Sequence, residues 1–261
     1  MGKLSEIFSA AADLIRSVSG TKTNKFTSAI IVAGGLSSRF GGDTTKQMTE
    51  VCGIPVIVHT LLAFEKSDRI SEIIVSAKED EIQMYDCFAK EYGITKLTKT
   101  VVGGQTRAES VLNGFEATSP KADFVAIHDG ARCLITTEDI EKVLDSAIKY
   151  GAATASVSVF DTVKIVDKNG FIKRTEDRDL VRLAQTPQIF KRNLYCAAAY
   201  TAREEGFECT DDNMLVEKLG FPVKAVDCNR DNFKVTLAED ILKAETIFEK
   251  RKALEDKKCS E

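Results

Sequence analysis

The sequence predicts an α/β fold in which a mostly parallel sheet is flanked by helices on both faces and carries a projecting β-arm. Three observations lead there. Short apolar strand-like runs alternate with helical patterns of the length that crossover helices need. A glycine-rich turn follows the first of these strands at once. Between Thr162 and Thr175 the alternation breaks, and two short strands flank Asp167-Lys168-Asn169-Gly170, a hairpin turn signal.

Taken in order, residues 1–26 read as an N-terminal amphipathic helical extension. Leu4, Ile7, Phe8, Ala11, Leu14, Ile15 and Val18 recur at helical spacing, but Glu6, Asp13 and Arg16 interrupt them. A signal peptide needs an unbroken apolar stretch, so the extension is expected to pack on the body or on a partner subunit. Membrane-surface association is the lesser alternative. Residues 27–250 form the main domain. Ser28–Ala33 is a buried-strand run, Ile54–Phe64 a helix and Glu72–Ala77 a strand. A helix over Asp80–Tyr92, a strand near Leu97–Val102, a helix over Arg107–Ala117 and a strand over Asp123–His128 follow. Thr136 with Asp139 three residues on has capping-box spacing, and Gly151 closes that helix. Ala152–Val159 is then a strand, and the arm occupies about residues 160–180. Helices are expected at Arg192–Glu205 and Asp212–Leu219, with a strand at Val223–Asp227. Thr236 and Glu239 have capping-box spacing before the last helix, and residues 251–261 form a charged tail expected to fray.

Composition bounds the function. The 261 residues are 43% hydrophobic and 29% charged, which suits a globular domain large enough to bury a core without metal or disulfide. A net charge of -4 gives no reason to expect a nucleic-acid partner, while a few local cations still suffice for small phosphate-bearing ligands. The seven cysteines are odd in number and contain no Cys-x-x-Cys pair, so reduced thiols and a cytoplasmic location are expected. No run is long and apolar enough for a membrane span.

The chemistry concentrates after the first strand, in Ala33-Gly34-Gly35-Leu36-Ser37-Ser38-Arg39-Phe40 and Lys46. Two glycines let the backbone turn tightly and approach a ligand, and free N–H groups in such a turn cradle phosphate oxygens. Arg39 and Lys46 add two cations spaced to flank a polyphosphate. A plain strand-to-helix turn with two surface cations is the alternative. The spacing is neither that of a P-loop nor that of a dinucleotide fingerprint, which disfavours a dehydrogenase.

With further segments, this pattern resembles the 2-C-methyl-D-erythritol 4-phosphate cytidylyltransferase family of sugar-phosphate nucleotidyltransferases. The segments are Gly103-Gly104-x-x-Arg107-x-x-Ser110-Val111, His128-Asp129-Gly130-Ala131-Arg132 and Asp161-Thr162-Val163-Lys164. Gln185-Thr186-Pro187-Gln188, Thr210-Asp211-Asp212 and Asp231-Asn232-Phe233-Lys234-Val235-Thr236 complete them, in family order from about residue 28 to 245.

The resemblance implies a Rossmann-like nucleotidyltransferase sheet and transfer of CMP from CTP to a polyol phosphate. Both reactants are anions, so neutralising charge and aligning the attack dominate catalysis. Arg39 and Lys46 match residues that stabilise the transition state, and Arg178 and Lys234 match residues that orient the acceptor phosphate. Cytosine and ribose are expected against Ala33, Gly34, Gly35, Gly104 and Ser110. Asp129, Arg132, Thr162 and Thr210 are further candidates for substrate contact. Thr210 has capping of the next helix as its alternative. Asp129 is a candidate for holding either Mg²⁺ or ribose, and Asp231 is a second candidate near the metal. His128 reads as structural, because a phosphate nucleophile is already ionised. The resemblance also implies a homodimer whose arm brings Arg178 and Thr162 to the neighbouring subunit's site.

The chain departs from the family pattern at Thr45 and Cys133, where proline is frequent, and at Gln105, where an acid is frequent. D-ribitol 5-phosphate is the alternative acceptor, and an inactive nucleotide-binding module is the alternative of another class. The segments around Arg107, His128 and Thr210 favour methylerythritol phosphate.

Overall fold

A computed structural model describes residues 25–34 and 45–258. The N-terminal extension, Gly35 and Arg39 therefore lie outside the described residues. Apolar, β-branched runs make the first strands, β1 (Thr27–Val32), with the short pair β2 (Glu50–Val51) and β3 (Ile54–Pro55) after it. Next come α1 (Val56–Glu65), β4 (Glu72–Ala77), α2 (Ile82–Glu91), β5 (Leu97–Val102), α3 (Arg107–Ala117) and β6 (Phe124–Asp129). They are followed by α4 (Thr137–Tyr150), β7 (Ala152–Ser158), the arm strands β8 (Lys164–Val166) and β9 (Ile172–Thr175), and β10 (Arg182–Lys191). The chain ends with α5 (Arg192–Glu204), α6 (Asp212–Lys218), β11 (Lys224–Asp227) and α7 (Glu239–Lys258).

Seven strands form the main sheet in the order β11-β7-β10-β6-β1-β4-β5. β1 lies between β4 and β6, parallel to both. β10 runs antiparallel to its neighbours β6 and β7, and among the described strands it alone reverses the direction of the sheet. Alternation along β1 divides the core between the two faces. Ala29 and Ile31 pack with Leu61, Phe64, Val143 and Leu144, whereas Ile30 packs with Val111, Phe115, Tyr195 and Val216. Both faces are thus covered, as a mostly parallel sheet requires. A third cluster, including Val51, Ala131, Val235 and Ala244, seats α7 against the loops at the carboxyl end of the sheet.

Three expectations change. No strand is expected over residues 182–191, yet residues 185–188 lie inside β10 and are buried. Their polar groups are satisfied from elsewhere in the chain, as when Asn232 Nδ2 donates to Gln185 Oε1 at 3.1 Å and to the Thr186 carbonyl at 2.9 Å. The Thr236–Glu239 box is replaced by Asp240, whose Oδ2 accepts the N–H groups of Thr236 and Leu237 at 2.9 and 3.0 Å. Residues 251–258, expected to fray, continue α7, with residues 252–257 exposed. The other local signals hold, apart from Ile54–Pro55, expected at the start of a helix and found in β3 instead. Thr136 accepts the Asp139 N–H, and Gly151 ends α4 at φ 91°, a left-handed conformation that favours glycine. The arm projects as expected, with every residue of β8 and β9 exposed. Among the described residues no helix is long and apolar enough to cross a membrane.

Candidate active site

The carboxyl ends of β1, β4, β5 and β6 open into a cleft of about 640 Å³. Ligands of open α/β sheets bind at this end. Four cations line the cleft, Lys46, Lys78, Arg107 and Lys234, and Asp129 is the one carboxylate among its described lining residues. Such a balance suits an anionic ligand.

One wall is built from the start of α3. Thr106 Oγ1 accepts the Glu109 N–H at 3.1 Å, and Glu109 Oε2 accepts the N–H groups of Thr106 and Gln105 at 3.1 and 2.7 Å. Ser110 Oγ accepts the Gly104 N–H at 3.0 Å and donates to the Thr106 carbonyl at 2.9 Å. These bonds press the Gly104 backbone onto the helix. A Cβ at Gly104 would lie 2.1 Å from the Glu109 Cβ, so the wall has no room for a side chain. Across the cleft, Gln47 Nε2 donates to the Ala33 carbonyl at 2.8 Å and holds the segment bearing Lys46 against the end of β1.

Asp129 ends β6 and faces three cations. Lys234 Nζ lies 3.0 Å from Oδ2, Arg132 Nε 3.4 Å from Oδ2, and Arg107 Nε 3.3 Å from Oδ1. Burial alone would raise the Asp129 carboxyl, but Lys234, Arg107 and Arg132 together hold it well below the usual carboxylate range. Lys234 is placed by its neighbours, since the Val235 N–H donates to the Ala131 carbonyl at 2.8 Å and Arg132 Nη1 donates to the Asn232 carbonyl at 2.9 Å.

Behind Asp129, Thr186 Oγ1 accepts the Asp129 N–H at 3.1 Å and meets His128 Nδ1 at 2.9 Å. His128 Nε2 faces the Arg132 carbonyl at 3.3 Å. A carbonyl only accepts, so the imidazole proton sits on Nε2 and Nδ1 accepts from the Thr186 hydroxyl. Burial pushes His128 down to about 3, against the opposing pull of Asp129. It is a neutral structural group, as the sequence suggested. Below the ordinary value of 6.5 the unfolded chain binds a proton that folded His128 refuses until about 3. Stability is therefore expected to fall as pH drops through that window, by about 1.4 kcal/mol per pH unit for this one proton. Burial also lowers His59, which adds to the same trend. Urea unfolding between pH 7 and 5 checks this. A His128→Asn protein should show a shallower slope, and an unchanged slope would contradict the assignment.

The structure thus brings together Gly34, Lys46, Gly104, Ser110, Asp129 and Lys234 in one cleft, with Ala33 and Arg132 directly behind them. It does not bring Thr162, Arg178, Thr210 or Asp231 into the lining. Arg178 Nη1 donates to the Phe160 carbonyl at 2.8 Å at the base of the arm. Thr210 Oγ1 donates to Met214 Sδ at 3.1 Å, and Asp211 rather than Thr210 caps α6. Asp231 pairs with Arg251 at 3.6 Å. Sequence reasoning missed Lys78, which follows β4 directly and lines the cleft. Its position just past a strand's carboxyl end was the signal available.

Comparison with known proteins is consistent with this geometry. The family model for IspD, 2-C-methyl-D-erythritol 4-phosphate cytidylyltransferase, matches residues 27–250. A protein of that name from Pelotomaculum thermopropionicum is 40% identical, covering 85% of this chain and 94% of its own. One from Caldanaerobacter subterraneus is 41% identical, covering 85% and 99%. The crystal structure of 4-diphosphocytidyl-2C-methyl-D-erythritol synthase from Anaerococcus prevotii superposes with a TM-score of 0.78 at 31% identity, covering 86% of this chain and 99% of that one.

Proposed function

This chain belongs to the 2-C-methyl-D-erythritol 4-phosphate cytidylyltransferase family, and we propose that the cleft at the carboxyl end of its sheet is where the family's reaction takes place. The chain transfers CMP from CTP to 2-C-methyl-D-erythritol 4-phosphate and releases pyrophosphate. An oxygen of the acceptor phosphate attacks the α-phosphorus. The bond from that phosphorus to the bridging oxygen of the β-phosphate breaks, and pyrophosphate leaves with the electron pair.

The observation that carries the assignment is the charge layout around Asp129. The nucleoside is proposed to rest against Gly34, Gly104 and Ser110, where close-packed backbone leaves room for a pyrimidine edge. Lys46, with Arg39 from the preceding loop, is proposed to neutralise the phosphates. Lys234 is proposed to orient the acceptor phosphate, because Asp129 anchors its ammonium at the cleft wall. Asp129 itself stays ionised and holds Lys234, Arg107 and Arg132 in register.

The donor set does not fit a protein-held Mg²⁺. Both oxygens of Asp129 are already engaged by cations, Asp231 pairs with Arg251, and no cluster of three ligating side chains occurs among the described residues. Mg²⁺ is proposed to enter with CTP rather than on a protein carboxylate, and there it would supply neutralisation of phosphate charge.

The arm is proposed to pair two chains into a homodimer and to carry Thr162 and Arg178 to the partner's cleft. Its apolar surface supports this reading, with Phe171 73% and Leu180 83% exposed in the single chain. A cytoplasmic location is proposed from the absence of disulfides among the described cysteines.

Pyrophosphate release from each of the four nucleoside triphosphates, with methylerythritol phosphate as acceptor, tests the nucleotide assignment. CTP is expected to be preferred over UTP, ATP and GTP. Equal turnover with a purine nucleotide would refute the Gly104–Ser110 pocket.

A further inference from the structure

We propose that Asp212 is a positioning residue for the transfer, setting the place of Lys234 through Arg107 and Asp129. The four side chains form a line of alternating charge that starts in the core and ends in the cleft. Asp212 is the first residue of α6, and its side chain is 2% exposed. Its Oδ1 accepts from the Tyr195 hydroxyl at 2.9 Å, and its Oδ2 accepts from Arg107 Nη1 at 2.7 Å. The Asp212 N–H donates to Gln188 Oε1 at 2.9 Å, so the backbone of the residue is held from the sheet while its carboxylate is held from α5. Arg107 Nε then reaches Asp129 Oδ1 at 3.3 Å, while Asp129 Oδ2 accepts from Lys234 Nζ at 3.0 Å.

The geometry gives the chain a direction. A guanidinium released from Asp212 is free to fork onto both oxygens of Asp129, because arginine and carboxylate match bidentately. It would then compete with Lys234 for Oδ2. Asp212 holds Nη1 and so fixes the pose in which Arg107 meets Asp129 through Nε at Oδ1, leaving Oδ2 to Lys234 and Arg132. Burial opposes the charge on Arg107, yet Asp212 first and Asp129 second outweigh it and hold its pKa above the ordinary value. A buried ion pair is weak evidence for net stability after its desolvation cost. The contribution of this pair is geometric: it joins the nucleotide-side start of α3 to the acceptor-side cation.

The inference rests on the reading that Lys234 orients the acceptor phosphate, and a double-mutant cycle separates the two. Asp212→Asn keeps the shape and the Tyr195 bond but removes the charge. In the wild-type background it is expected to lower kcat/KM for the acceptor about 10- to 100-fold, the scale of a small misplacement at the reacting centre. In a Lys234→Ala background the same change is expected to cost less than about 3-fold, since coupled residues are not additive. Arg107→Lys is the second variant, because a point charge beside Asp212 cannot span both carboxylates, and it should show the same dependence on Lys234. Thermal unfolding identifies the variants that fold, and if Asp212→Asn does not, Arg107→Lys decides by the same criterion. A folded variant with near-native kcat/KM, or an equal loss in both backgrounds, overturns the inference and leaves the role of Lys234 standing. Near-native activity of Lys234→Ala overturns that role and the inference together.

Discussion

Replacing Lys46 with alanine is expected to lower kcat at least about 100-fold while the chain stays folded, because one well-placed charge donor contributes that much to a transition state that concentrates negative charge. Lys46 lines the cleft beside Gln47, whose side chain ties this segment to the Ala33 carbonyl. Lys46 belongs to neither main core cluster, so the substitution leaves them intact. Arg39→Ala is expected to behave the same way, on the strength of the motif that carries both residues. Steady-state kinetics with thermal unfolding as the control decides it. Near-normal kcat in folded Lys46→Ala protein would mean that the phosphate site lies elsewhere.

The second large effect is a rescue. Arg178→Ala protein and Lys46→Ala protein should each be nearly inactive alone, and mixing them should restore activity. The reason lies in the arm. Within one chain Arg178 stays at the arm's base, bonded to the Phe160 carbonyl and outside the cleft lining. If the arm delivers it to the partner's cleft, a hybrid dimer concentrates both defects in one site and leaves the other intact. Random pairing of a two-fold dimer then returns about one quarter of the wild-type activity. Absence of rescue, with subunit exchange shown by mass spectrometry of labelled chains, would place Arg178 in its own subunit's site.

Much of this architecture was readable in the sequence. Glu72–Ala77, Leu97–Val102 and Arg107–Ala117 have the predicted bounds, because their signals are local: β-branched runs and a helical repeat. β10 was missed for the opposite reason. Gln185, Thr186 and Gln188 look like loop residues, and only partners distant in sequence, such as Asn232 and Asp211, make their burial affordable. The start of α7 shows the limit on a finer scale, since sequence spacing allowed Glu239 where Asp240 reaches back.

The site divides along the same line. Gly34, Lys46, Gly104, Ser110, Asp129 and Lys234 were found through motifs and converge on one cleft. Lys78 belongs to no motif, and Asp212 acquires its meaning only through Arg107, which is 105 residues away in the chain. Thr162 and Arg178 lie in a motif and on the arm, but their proposed place needs a second chain.

The acceptor is the most direct test of the account. D-ribitol 5-phosphate offers the same phosphate as 2-C-methyl-D-erythritol 4-phosphate for the proposed contact with Lys234, and differs in its hydroxyl pattern. A site built for one such pattern rejects analogues that leave its polar groups unpaired. Measured side by side at saturating CTP, kcat/KM is predicted to be clearly higher for methylerythritol phosphate. A preference for ribitol phosphate would contradict the assigned reaction.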